Sequence, residues 1–416
     1  MERKAETGRM PPPASDAGRR GVAETAMIGM LAHGGFSSLL AAGRQAEAHG
    51  LAAEALERWV AGGLAHQIGP DGGRRFDPAE VINGFKWAGL QGRDDFWSDR
   101  WIATGRQMVS DLAARDRRTV KATLVRRFDL GAVAEDAEVL LRAPAPLAGE
   151  DHAILALELE ASEGLGPVQV ADGRITARLR RGAHGRPSLG WRATLAPADR
   201  PEASDLSPAE TELYLRPTEG FIRVGAGIRE LAEAWAGGRS GWDAVLAFRQ
   251  ELGRGFCLGV VGYEDFSVQG ALDWVLQQRW FDCLLGSALL VSLCRARALP
   301  ARLVHGHFLY PANPANHVWS EVFIQGRGWA PVDLIGWELS GGDAEADWPH
   351  DFLGRIDRRL VTERPPRRVT GPMSLRLPST WRVLQSRAGE GLHVSYVDAA
   401  TGRALLVDRI QVEPGP

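Results

Sequence analysis

The most constraining feature of this chain is the run CLLGSALLVSLCRARALPAR, residues 283–302. From Cys283 to Cys294 it carries no charged side chain. Its length and its Leu/Ala content predict a helix buried on all sides and ending before Pro300. Such a helix needs a scaffold to hide it, and the next residues read as one. ARLVHGHFLY has the composition of a strand, and HVWSEVFI alternates cleanly. In the latter, His317, Trp319, Glu321 and Phe323 point one way, while Val318, Ser320, Val322 and Ile324 point the other. A short Gly-containing turn, QGRG, then leads into WAPVDL and delivers Asp333.

The rest of the chain sets bounds on what surrounds this kernel. Its 416 residues predict two or three domains at about 150 residues each. A hydrophobic content of 44% with 24% charged residues excludes wholesale disorder. The 49 basic and 52 acidic side chains nearly cancel, so neither nucleic acid nor an anionic membrane is an expected partner. No uninterrupted apolar stretch is long enough for a membrane span. Three cysteines, Cys257, Cys283 and Cys294, cannot build a disulfide framework.

Composition along the chain divides it. Residues 1–20 are charged and rich in Pro and Gly, a flexible tail. Arg19-Arg20 precede a fairly apolar stretch in the manner of a twin-arginine export signal, but Glu24, His33 and the paired Gly34-Gly35 interrupt it. A cytoplasmic location is therefore expected, with export as the alternative. Residues 21–118 read as a helical domain of unassigned role. Leu51, Ala55, Trp59 and Val60 share a helical face, and Asp77-Pro78-Ala79-Glu80 is a helix start. Short alternating runs from KATLVRRFDL to RITARLRR predict a β-sandwich over 119–205, with GAHGRPSLG as a hairpin loop. Residues 206–416 form the remaining unit, a catalytic segment followed by strands too few to make a core alone, which are expected to complete an earlier sheet.

The residues for chemistry lie in the kernel. A cysteine at a helix N-terminus sits at the positive end of the helix dipole, which favours the nucleophilic thiolate. Fifteen residues separate His317 from Asp333, so a three-residue or bulged loop makes them a cross-strand pair on one face. A thiol beside an imidazole that is oriented by a carboxylate is the general arrangement for covalent acyl transfer.

The segment 276–333, LQQRWFDCLLGSALLVSLCRARALPARLVHGH followed by NHVWSEVFIQGRGWAPVDL, resembles the core of the transglutaminase-like superfamily. The matching elements are the Cys helix, the Pro300-Ala301-Arg302 step, the His317-x-Trp319-x-Glu321 strand, and Trp329 with Asp333. Weaker similarity to bacterial members with an N-terminal sandwich extends over about 120–416 and does not reach the first 118 residues. The resemblance implies an α+β fold with a papain-like core, and Cys283, His317 and Asp333 as catalytic triad. It also marks two departures: Phe281 stands where relatives carry glycine two residues before the nucleophile, and Ala298 replaces a glycine at the helix end.

Further candidates surround the triad. Gln277, Trp280, Phe281 and Trp319 are possible oxyanion or substrate contacts, and the backbone N–H of Cys283 is an oxyanion donor that needs no particular side chain. The Trp280-Phe281 pair predicts a reshaped acyl site. Cys257 and Cys294 read as structural, and Arg302 with Glu321 as a buried pair. His305 and His307 share a strand face as zinc ligands do, but no third ligand follows at metal spacing, so no metal or cofactor is expected. The expected function is cysteine-dependent acyl transfer on an amide or thioester, with amidase or peptidase hydrolysis first. An amide-forming transferase acting on a small-molecule or carrier-protein thioester is the alternative, and an inactive binding scaffold the third reading.

Overall fold

The computed structural model describes most of residues 118–413, with breaks at 132, 148–151, 172, 183–185, 198–204, 260, 262–265, 312–313, 335–357, 365–381, 388–389 and 400–401. Before residue 118 it describes Gln107 and Ser110, both helical, and three short strands, β1 (Ser37–Ser38), β2 (His66–Ile68) and β3 (Arg74–Phe76). These strands form a sheet in the order β1-β3-β2 within the region read from sequence as helical. The helix positions named there, residues 51–60 and 77–80, lie outside the described residues.

Alternating sequence from Val120 onward builds two antiparallel sheets. The larger contains β4 (Val120–Asp129), β6 (His152–Ala161) and β9 (Ser188–Pro197), and the smaller β5 (Glu138–Pro144), β7 (Gln169–Ala171) and β8 (Arg174–Arg180). Their inward residues, among them Leu124, Trp191, Leu141 and Ile175, share one core. GAHGRPSLG is not a hairpin loop, because the strands on either side of it pair elsewhere: β8 lies between β5 and β7, and β9 between β4 and β6. The loop therefore crosses from one sheet to the other.

Two buried polar contacts stitch the sheets together. Arg126 donates through Nε and Nη2 to Asp408, and through Nη1 to the Arg142 carbonyl of the opposite sheet. Trp191 Nε1 donates to the Pro144 carbonyl.

Among the described residues five helices follow: α1 (Pro208–Tyr214), α2 (Ala226–Ala236), α3 (Gly241–Gly255), α4 (Ala271–Gln278) and α5 (Cys283–Ala296). Between them lie the short strands β10 (Thr218–Glu219), β11 (Ile222–Arg223), β12 (Cys257–Leu258) and β13 (Trp280–Phe281). Helical spacing puts Ile228, Ala232 and Ala236 of α2, and Ala244, Val245, Phe248 and Leu252 of α3, into one core around α5. Every residue of α5 from Leu284 to Cys294 is buried, as an uncharged run requires, and Arg295 is buried with its guanidinium paired to Glu219.

A four-stranded antiparallel sheet carries the other half of the kernel. Its strands are β14 (Ala301–Phe308), β15 (Ala315–Ile324), β16 (Gly328–Val332) and β17 (Arg359–Glu363), in the order β16-β15-β14-β17. The last strands, β18 (Arg382–Arg387), β19 (Glu390–Ala399) and β20 (Gly402–Val412), join the sandwich rather than this sheet, and β20 pairs with β4. They complete the earlier sheet, as strands too few to make a core alone require. Strand β17 already occupies one edge of the catalytic sheet, and β4 offers the edge that β20 takes.

Candidate active site

The site is built at the start of α5. Asp282 caps the helix, and its Oδ1 accepts from the N–H groups of Leu284 and Leu285 at 3.0 and 2.9 Å. The first intrahelical bond runs from Gly286 N–H to the Asp282 carbonyl. Cys283 is the first residue of the helix and is half-buried, whereas the residues after it are buried. Its thiol therefore stands where the helix meets the surface. Neither Cys283 nor Cys294 is in a disulfide, and burial pushes the Cys294 thiol strongly up, away from ionisation. Cys257 lies in β12, and its side chain falls outside the described residues.

Three contacts set the direction of α5 along the sheet. Arg295 Nε donates to the Ala301 carbonyl, and Ala301 lies opposite Val322 of β15. Ser320 Oγ donates to the Ser287 carbonyl in mid-helix. In the first turn, Leu334 packs where a Cβ on Gly286 would stand. The helix thus runs parallel to β15, and Cys283 lies towards the end of the sheet that carries His317 and Asp333. The helix body covers the face of Val318, Ser320 and Val322, while His317, Trp319 and Glu321 occupy the other face, as strand alternation predicts.

His317 and Asp333 are buried and joined by a hydrogen bond. An ionised carboxylate can only accept, so His317 Nε2 donates to Asp333 Oδ2, at 2.9 Å. That tautomer leaves Nδ1 as the ring's proton acceptor. The two residues are not directly opposite, contrary to the cross-strand expectation. Ile324 pairs with Gly328 across a three-residue loop, which aligns Ser320 with Val332 and hence Asp333 with Trp319. His317 is two residues off, on the diagonal. An even offset keeps both side chains on one face, so the bond forms regardless.

Aromatic rings and a cation enclose the pair. His317 stacks on Phe308 with ring centroids 4.1 Å apart, and Trp319 follows at 6.0 Å. Arg359 of β17 places Nη1 3.2 Å from Asp333 Oδ2, with both side chains buried. Further along the same face, Arg302 and Glu321 form the buried pair read from the sequence, 2.7 Å apart. The Arg302 guanidinium also lies 3.8 Å from the Trp329 ring centroid.

The remaining candidates take other places. Trp280 and Phe281 are core residues: β13 pairs with β12, Trp280 covers Gly259, and Phe281 stacks on Phe256 and fills the space beside Gly286. Phe281 thus packs behind the first turn of α5, and the bulk read as a reshaped acyl site is turned inward. Trp319 is fully buried with Val304 and Val361. Gln277 is exposed on the last turn of α4. His305 and His307 are buried, and desolvation lowers the pKa of each to about 4. Among the described residues no three His, Cys, Asp or Glu side chains gather as a metal site.

Two participants went unread in the sequence. Asp282 carried the ordinary signal of a cap, an acid directly before an apolar run. Arg359 carried none, because it arrives from β17, far along the chain.

Comparison with known proteins agrees on the segment. Residues 243–334 match the family model of the transglutaminase-like superfamily, so they form a transglutaminase-like core. No curated protein matches the chain significantly. Among solved structures, a protein from Cytophaga hutchinsonii assigned provisionally as a cysteine protease is similar at 16% identity, over 72% of this chain and 90% of that one, with a TM-score of 0.45. The periplasmic domain of TgpA from Pseudomonas aeruginosa is similar at 15% identity, over 57% and 93% of the two chains, with a TM-score of 0.30.

Proposed function

We propose that this transglutaminase-like chain is a cysteine-dependent acyl-transfer enzyme, acting on an amide or thioester and passing the acyl group to water. The observation that carries the reading is the buried His317–Asp333 hydrogen bond, with Leu334, next to Asp333 in the chain, packed against the first turn of the helix that Cys283 begins. Asp333 fixes the tautomer, so that Nδ1 of His317 takes the thiol proton of Cys283. The thiolate adds to the substrate carbonyl carbon, and the resulting oxyanion is met by the backbone N–H of Cys283. Collapse breaks the carbon–nitrogen or carbon–sulfur bond, and the imidazolium returns its proton to the leaving group. His317 then deprotonates a water that attacks the thioester, releasing the acid and regenerating the thiol.

Hydrolysis stands ahead of amine transfer on one ground. Amine transfer needs water kept from the thioester, and Trp280 and Phe281, the bulk read as reshaping the acyl site, are packed in the core. Partitioning tests the order. The full chain is supplied with an activated acyl thioester and a panel of primary amines, and acid and amide are weighed by mass. Acid as the main product supports the reading, together with an acyl adduct on Cys283 in the intact protein. Amide in excess would replace hydrolysis by transfer. Absence of any adduct or product across thioesters and amides would favour a binding scaffold.

A further inference from the structure

The His–Asp pair does not stand alone in its charge. Asp333 Oδ2, the oxygen that accepts from His317, is also the oxygen 3.2 Å from Arg359 Nη1. All three side chains are buried. Arg359 lies opposite Phe308, the ring stacked on His317, and its guanidinium is 5.6 Å from the centroids of both Phe308 and Trp319. The cation therefore faces the same carboxylate oxygen and the same aromatic walls as the imidazole.

We propose that Arg359 is a positioning residue that sets the charge of the His317–Asp333 pair; this rests on the catalytic reading of that pair given above. A lone buried carboxylate stabilises an imidazolium beside it. A guanidinium on the same oxygen opposes that attraction. The carboxylate thus meets the ring through a hydrogen bond and the guanidinium through an ion pair. The strand that brings Arg359 is itself braced by the sandwich. Leu147 N–H donates to the Val361 carbonyl, and Gly173, at φ 74°, packs its α-carbon against the Thr362 carbonyl. The sandwich thereby fixes where the cation sits.

Other charged side chains lie on the elements packed around the imidazole, among them Glu363 of β17, buried and paired in register with His305. From α5 come the Cys283 thiol and Asp282, whose Oδ1 accepts two backbone N–H groups. On the shared sheet face, Glu321 is neutralised by Arg302, with Arg364 3.5 Å away. His305 and His307 of β14 are register partners of Val318 and Asn316 and so turn to the opposite face. Arg359 is thus a cation in direct contact with the carboxylate that accepts from His317.

The test follows the His317 ring by nitrogen NMR against pH in histidine-labelled full-length protein carrying Cys283→Ala, with the signal assigned by its loss in His317→Gln. Because that background has no chemistry, the result is independent of whether the enzyme reading holds, and activity of the parent is measured separately. In Arg359→Met the pH at which the ring takes up its proton is expected to rise by about one unit, from the size of a unit charge removed at this range. Arg359→Lys, which keeps the charge, is expected to restore the parent curve. An unchanged curve in a folded Arg359→Met variant would overturn the proposal and leave Arg359 a packing residue. Should Arg359→Met not fold, the double variant Arg359→Met/Asp333→Asn is expected to recover the fold, since the uncompensated charge is gone. A double variant that stays unfolded would sink the pairing.

Discussion

Asp333 is aligned with Trp319 in the hairpin, yet its carboxylate bonds His317, two residues along the strand. The diagonal geometry makes this bond depend on the three-residue loop at Gln325–Arg327. A one-residue slip of β16 against β15 would move Asp333 to the other face and is expected to abolish activity. Asp333→Asn keeps shape but loses the carboxylate that fixes the tautomer. It is expected to lower kcat/KM by about 10³- to 10⁴-fold with unchanged circular dichroism. Near-parental turnover in Asp333→Asn would rule out a triad.

The two described thiols are predicted to behave oppositely. Cys283→Ala is expected to eliminate both turnover and fast iodoacetamide labelling at neutral pH. Cys294→Ser is expected to keep both, because the Cys294 thiol is fully buried and held protonated. Mass mapping of the labelled peptide decides between them.

Asp282 has two roles that substitution separates. As a cap it satisfies two N–H groups, so Asp282→Ala is expected to cost about 1 kcal/mol. As an anion next to Cys283 it opposes thiolate formation. Asp282→Asn keeps an acceptor oxygen while removing the charge, and the rate of alkylation is expected to rise several-fold at neutral pH. A slower rate would show that the carboxylate serves the thiol in another way.

Ala298 adopts φ 56°, the left-handed conformation that glycine takes at a helix end. The replacement of glycine therefore did not change the geometry of the end; alanine occupies it at a steric cost of about 1 kcal/mol. Ala298→Gly is expected to stabilise the protein by up to that amount, read as a raised denaturation midpoint.

Stability is predicted to fall with pH below neutrality. His152, His305 and His307 are each lowered from 6.5 to about 4, first of all by burial. Below pH 6.5 the unfolded chain binds protons that the folded chain refuses, so unfolding becomes easier as pH drops towards 4. Each histidine contributes a slope of up to about 1.4 kcal/mol per pH unit in that window. Urea titrations at pH 7, 5.5 and 4.5 measure it, and His307→Leu is expected to flatten it by one histidine's share.

The helix and hairpin of the site were legible because their signals are local. An uncharged run of Leu and Ala is helical wherever it is buried, and alternation assigns strand faces within a few residues. The spacing of His317 and Asp333 likewise reported that they share a face, since that depends only on parity. What parity left open was whether they stand opposite or diagonal, which the loop's position decided.

Packing partners were a different matter. Trp280 and Phe281 looked exposed to chemistry because sequence shows bulk but not direction, and the β12–β13 pairing turns them into the core. The last strands read as strands, but the sheet they enter depends on which edge is open. Arg126 and Asp408, 282 residues apart, meet only once β20 has docked on β4. Arg359 comes to Asp333 in the same way, by a strand pairing whose partner lies on β14. The sequence by itself thus determined the helix and hairpin of the site, the place of Cys283 on its helix and the face of the imidazole. Tertiary structure alone decided the charge environment of that imidazole, because a carboxylate's neighbours are set by long-range strand pairing, which no local period records.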